Sequence, residues 1–132
     1  MLHPNKDVGA TIASGSYCCS AMVILPCSTD MLARVAGGLA DTLISRAAHC
    51  HLKEHRKCVL CVRENPWSLI DLDNARRVAA AGGIVMPLSP PFYQTGARGP
   101  REVSMSDLLA AYVDRVLAVL GHPADTHWGT LS

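Results

Sequence analysis

The stretch Ala21-Met22-Val23-Ile24-Leu25-Pro26-Cys27-Ser28-Thr29 decides how the rest of the chain is read. Its apolar residues run without period-2 alternation, the pattern of a strand buried on both faces in a parallel sheet covered by helices. Asp30 then opens a helical pattern, Met31-Leu32-Ala33-Arg34-Val35-Ala36. Cys27, Ser28 and Thr29 therefore fall between the carboxyl end of a strand and the amino end of a helix, where unpaired N–H groups attract phosphate. In an open α/β sheet that is a ligand position. On this stretch alone, the simpler reading is that Ser28 or Thr29 caps the helix.

Working outward, the first helix stops at Gly37-Gly38, and a second runs from about Leu39 to Arg56, with Leu39, Leu43, Ile44, Ala47, Ala48 and Leu52 at helical spacing. Arg46 and Lys53, seven residues apart, share a face about 10 Å apart along the axis. Such a pair either holds an anion or forms a wet flank. A second strand, Cys58 to Val62, ends in Arg63-Glu64-Asn65-Pro66, and a third, Ile84 to Pro87, leads into Leu88-Ser89-Pro90-Pro91-Phe92-Tyr93. Between them Ser68 to Ala81 reads as a helix, entered after Pro66 and stopped by Gly82. The order strand, helix, strand, helix, strand predicts a parallel sheet with right-handed crossovers.

Residues 1 to 12 have no clear period, and Ala13-Ser14-Gly15-Ser16 reads as a loop. Gln94 to Val103 is polar and rich in Gly, Pro and Arg, a surface loop. The last helix opens on Ser104 with Asp107, a capping arrangement. Met105, Leu108, Leu109, Tyr112, Val116 and Leu120 form its stripe, with Arg115 at the border of the buried face.

The chain has 132 residues, enough for one domain over 1–132. A net charge of +1 supplies no basic field, and 5% aromatic residues supply no stacking platform, so nucleic acid is excluded as the expected partner. With 49% hydrophobic residues and a mean hydropathy of +0.19, apolar surface remains to be buried elsewhere, which predicts a homo-oligomer. No apolar run approaches the roughly 18 residues of a membrane span, and the first ten residues lack the apolar centre of a signal peptide. The expected compartment is the cytoplasm, with the six cysteines reduced. Cys58 and Cys61 spell C-x-x-C, but positions i and i+3 of a strand face opposite sides, against a thioredoxin-like role.

Three strand ends thus carry Ser28 and Thr29, Arg63 and Glu64, and Tyr93 toward one rim. Arg63 beside Glu64 reads as a structural ion pair unless other cations join it, and Arg46, Lys53 and Arg115 are the candidates. The sum suits a phosphorylated ligand with Glu64 as the acid/base. A rival pattern, His51-Leu52-Lys53-Glu54-His55, matches the zinc motif H-x-x-E-H. His51 falls on the apolar stripe beside Ala48 and Leu52, however, so a satisfied core or interface histidine is the preferred reading and no metal is expected.

The segments Ala21–Thr29, Leu43–Ser68 and Gly82–Tyr93 together resemble the UbiX-type flavin prenyltransferases. They match that family's strand with its P-C-S turn, its R-A-A-x-x-x-L-K-E helix leading to a V-R-E strand end, and its P-x-x-P-x-F-Y segment. The resemblance spans Asp7 to Gly121. It implies a Rossmann-type, flavodoxin-like three-layer α/β sheet and a dodecamer. The implied reaction is metal-independent transfer of dimethylallyl from its monophosphate to reduced FMN, giving prenylated FMN for UbiD-type decarboxylases. By motif, Ser28, Thr29, Asp30, Met31 and Arg63 match flavin-contacting positions. Arg46, Lys53, Tyr93 and Arg115 match the surroundings of the prenyl phosphate, Arg46 together with Glu64 being the catalytic assignment. Glu64 matches the carboxylate that moves a proton.

The family opens with a further strand, loop and helix that have no counterpart in this sequence, and Val8 stands where some members place a tryptophan. The expected consequence is that Ala21 to Pro26 becomes a sheet edge. The alternative function is a non-catalytic flavoprotein subunit of an aromatic acid decarboxylase system.

Overall fold

The computed structural model of the chain describes residues 2–15, 19–93, 98–99 and 101–122. The chain divides into two compact units, Met1–Pro87 and Leu88–Ser132. In the first, β1 (Ala21–Cys27) is followed by α1 (Thr29–Ala36), α2 (Leu43–Lys53), β2 (Lys57–Val62), α3 (Leu69–Ala80) and β3 (Ile84–Pro87). The strands form one parallel sheet in the order β1-β2-β3. The alternation read from the sequence is present in that order.

β2 is the strand buried on both sides: Cys58, Val59, Leu60, Cys61 and Val62 are all at most 1% exposed. Its Cys58, Leu60 and Val62 join Ile24, Cys27, Leu32, Val35, Ala48 and Val78 in one core, so α1, α2 and α3 all pack toward that face. β1 behaves differently from a doubly buried strand. It is an edge among the described residues, and Val23 and Leu25 stand exposed on it. Apolar content alone does not separate a central strand from an edge strand.

Helix boundaries tightened in the structure. Thr42 and Ser45 cap each other's amides, so α2 begins at Leu43 and leaves Leu39 exposed rather than on the stripe. His55 takes a φ of 55°, which ends the helix before Arg56. Ser68 and Asp71 form the same reciprocal cap at α3. Gly83 is buried because β3 starts hard against α3: a Cβ there would lie 2.6 Å from Val78 Cγ1.

The second unit contains α4 (Met105–Val119), capped by Ser104 with Asp107 as the sequence indicates. Ser104's amide, then its hydroxyl, and Arg98 hold the Asp107 carboxyl below the usual carboxylate range. Leu108, Ala111, Tyr112 and Val116 are its buried residues, whereas Met105 and Leu109 of the expected stripe are exposed. The helix carries apolar residues on most of its circumference, so periodicity did not single out the buried face. Of the two expected loops, Ser16 and residues 94–97 and 100 lie outside the described residues.

Candidate flavin and phosphate site

β1 reaches the rim irregularly. Its register with β2 shifts between Ile24 and Cys27, on either side of Leu25 and Pro26, and pairing resumes with Cys27 opposite Val62. Proline has no N–H to donate, so a bulge at an edge is where a strand tolerates it. One step further the Arg63 amide donates to the Cys27 carbonyl at 3.0 Å. The chain segments that run on into Ser28 and Glu64 therefore leave the carboxyl ends of adjacent parallel strands side by side.

Ser28 is the N-cap of α1, its Oγ accepting from the Met31 amide at 3.1 Å. The other three α-helices of the described residues close this bond reciprocally through Ser45, Asp71 or Asp107. α1 has Met31 at the corresponding place and makes no return bond. The Ser28 amide, which such a return bond would take, is therefore left to an anion along with the first-turn amides that every helix leaves unpaired. The Asp30 carboxylate does not oppose this directly, because it is drawn to Arg34 Nε at 3.0 Å, and Arg34 also pairs with Asp41. Those hydrogen bonds to Arg34 hold Asp41 below its usual carboxylate range.

Arg63 and Glu64 are both exposed, and among the described residues no ion pair joins them. Successive residues leaving a strand point to opposite sides, which separates the two side chains. Glu64 Oε1 accepts from the Asn65 amide at 3.0 Å, and Trp67 Nε1 donates to the Glu64 carbonyl at 3.0 Å. The carboxylate is thus held at the rim by its own turn.

Arg46 and Lys53 do share a face, and that face lines a cavity of about 500 Å³ between α2 and the amino-terminal segment. His49 stands between them, with Val8, Gly9 and Gly15 opposite. Neither Ser28, Arg63 nor Glu64 lines it. Within one chain the cavity thus groups Arg46 and Lys53 apart from the Glu64 rim. Lys53 closes the helix that feeds the start of β2, while Glu64 follows its end, and six residues of strand span roughly 20 Å. Tyr93, exposed, and Arg115, exposed on α4, belong to the second unit.

The amino-terminal segment that walls this cavity was without period in the sequence. Asn5 secures it: its carbonyl accepts from the Leu43 amide at 2.6 Å and its Oδ1 from the Ile44 amide at 3.0 Å. These bonds cross 39 residues to Ile44, so no local pattern announces them. At the other end Arg56 Nη2 donates to the Gly15 carbonyl at 2.7 Å.

The H-x-x-E-H run does not lie on one helix, since α2 ends at Lys53 and His55 is left-handed. His51 is a satisfied core histidine, 3% exposed, with Nδ1 2.9 Å from the Ala47 carbonyl. Among the described residues no three His, Cys, Asp or Glu side chains group as metal ligands.

With this geometry in place, a sequence model described as Flavoprotein matches residues 5–115. The chain belongs to the flavoprotein family. Among curated relatives, this flavoprotein is 41% identical over 129 residues to the flavin prenyltransferase UbiX of Neisseria meningitidis serogroup B, covering 96% of this chain and 65% of that one. It is 45% identical over 121 residues to the flavin prenyltransferase UbiX of Deinococcus radiodurans, covering 92% and 59%. The chain therefore spans about three-fifths of the length of these relatives.

Its fold is similar to the crystal structure of AnUbiX (PadA1) in complex with FMN and dimethylallyl pyrophosphate. The TM-score is 0.82 at 36% identity, over 95% of this chain and 65% of that one. It is similar also to a dodecameric FMN-dependent UbiX-like decarboxylase from Escherichia coli O157:H7, with a TM-score of 0.85 at 37% identity, over 96% and 66%. The flavodoxin-like α/β fold and the UbiX resemblance read from the sequence are both borne out.

Proposed function

We propose that this flavoprotein transfers a dimethylallyl group from its monophosphate to reduced FMN, making prenylated FMN for a UbiD-type decarboxylase. The observation that carries the reading is the Arg63–Cys27 backbone bond, which sets the unreciprocated amino end of α1 beside Arg63 and Glu64. The rim fits FMN: uncommitted amides suit its phosphate, and Arg63 adds a positive charge.

Ser28, Thr29, Asp30 and Met31 hold the flavin, with Asp30 contributing its backbone, and Arg63 adds a side-chain contact. The bound, reduced flavin supplies the nucleophilic ring system. Glu64 accepts and returns the proton displaced at the ring. Arg46 and Lys53 hold the phosphate and stabilise the charge that grows on it as the allylic carbon departs. Tyr93 and Arg115 are assigned to that phosphate on the motif match.

Lys53 and Glu64 lie at opposite ends of β2, so we assign their meeting at one substrate to different copies in a homo-oligomer. The dodecameric relative supports this reading. Single-domain behaviour over 1–132 and a cytoplasmic location are part of the same proposal. No helix of the described residues is long and apolar enough to cross a membrane.

Anaerobic incubation of the purified protein with reduced FMN and dimethylallyl monophosphate, read by mass spectrometry, tests the assignment. Prenylated FMN is expected. Protein that retains FMN through gel filtration yet forms no adduct would overturn the transferase reading and leave the accessory flavoprotein in its place.

A further inference from the structure

Outside the rim and the cavity, one side-chain pair is arranged for chemistry that the proposed transfer does not use. Cys19 Sγ lies 3.2 Å from His51 Nε2. The other ring nitrogen, Nδ1, faces the Ala47 carbonyl at 2.9 Å. A carbonyl only accepts, so Nδ1 carries the hydrogen, and in the neutral ring Nε2 is a bare acceptor aimed at the thiol. The ring is buried on α2 and held by a contact one turn back. Cys19, in contrast, is partly exposed, while Cys27, Cys50, Cys58 and Cys61 are buried. A base oriented by a third group and pointed at an accessible sulfur is the arrangement that activates a nucleophilic thiol.

We propose that Cys19 is an oxidant-sensitive modification site at which hydrogen peroxide forms a sulfenic acid, with His51 taking the thiol proton. In that step the Sγ–H proton passes to Nε2 and the sulfur attacks one peroxide oxygen. The S–O bond forms as the O–O bond breaks, and the departing hydroxide recovers the proton from the imidazolium and leaves as water. Sulfur is oxidised by two electrons and peroxide is reduced by two. Nothing in the step draws on flavin or prenyl phosphate, so it stands or falls separately from the transferase reading.

The test treats the purified protein with hydrogen peroxide and dimedone and maps adducts by mass spectrometry, with fragment ions separating Cys19 from Cys18. Iodoacetamide labelling rates are measured in parallel. The expected adduct is on Cys19, and native Cys19 should alkylate about tenfold or more faster than the same thiol in urea at the same pH. His51→Gln should slow it by a similar factor, and added imidazole should restore much of the rate in His51→Ala. If a substitution unfolds the protein, labelling of the four buried thiols accelerates, and the comparison of native with urea-treated wild type then decides. A native Cys19 that reacts no faster than in urea, or a dimedone adduct confined to other cysteines, overturns the proposal.

Discussion

The Arg63 amide and the Cys27 carbonyl, 3.0 Å apart, form the bond that continues the β1–β2 ladder past its last registered pair. It brings the chain leaving β2 alongside the chain that enters α1, and the proposed transfer makes the Glu64 carboxylate, two steps along, the expected proton carrier. Glu64→Gln keeps the shape and the acceptor for the Asn65 amide but cannot take up and return a proton. Turnover should fall about a hundredfold or more, while FMN retention on gel filtration stays within twofold of the parent. Unchanged turnover would remove Glu64 from the mechanism.

Gly15 presses on the cationic cavity. A Cβ there would meet Lys53 Nζ and Glu54 Oε1, each at 2.9 Å. Both are ends of flexible side chains, so Gly15→Ala should leave stability within about 0.5 kcal/mol while displacing the Lys53 ammonium. The expected kinetic signature is a severalfold higher KM for dimethylallyl monophosphate together with a severalfold lower kcat, because the displaced ammonium both holds the phosphate and stabilises its growing charge. A KM that does not move would detach this cavity from the substrate.

Gly83 offers the opposite case. Its added methyl would lie 2.6 Å from Val78 Cγ1 and 3.1 Å from the Val78 carbonyl, against a side chain that is 1% exposed. Gly83→Ala should lower stability by about 1–3 kcal/mol, as overpacking does, seen as a lower urea midpoint. An unaltered midpoint would mean that α3 and β3 part more easily than their packing implies.

Burial, with Cys61 and Cys58 nearby, pushes the Cys27 thiol from 9.0 up to about 12, and burial pushes Cys58 up to about 11. Above pH 9 the unfolded chain releases these protons while the folded chain keeps them. Stability from this source is therefore complete below pH 9 and is lost as pH climbs toward 11 and 12. Urea midpoints measured from pH 8 upward should decline, and Cys27→Ala should decline less steeply. Equal slopes would assign the alkaline loss to other groups.

The strand and helix order was legible because each element carries its own punctuation: Ser68 after Pro66, Gly82 after α3, Ser104 with Asp107. Ser28 was legible for the same local reason. What escaped were relations across long stretches of chain. Asn5 bonds to α2 from 39 residues away, and Cys19 meets His51 from 32. For Arg46 and Lys53, seven residues of helical spacing fix a shared face but not which end of the sheet that face attends. The buried side of α4 was ambiguous because its apolar residues nearly encircle it.

The missing return bond at α1 sets folding robustness against cofactor capture. Replacing Met31 with glutamine would complete the cap that the other helices already possess, and selection for heat tolerance alone would favour it. The same side chain would then occupy the Ser28 amide, one of the donors at the helix mouth that we assign to the flavin phosphate. A methionine at this place is what leaves the helix mouth open to a visitor, and the protein forgoes a fraction of its rigidity to keep it so.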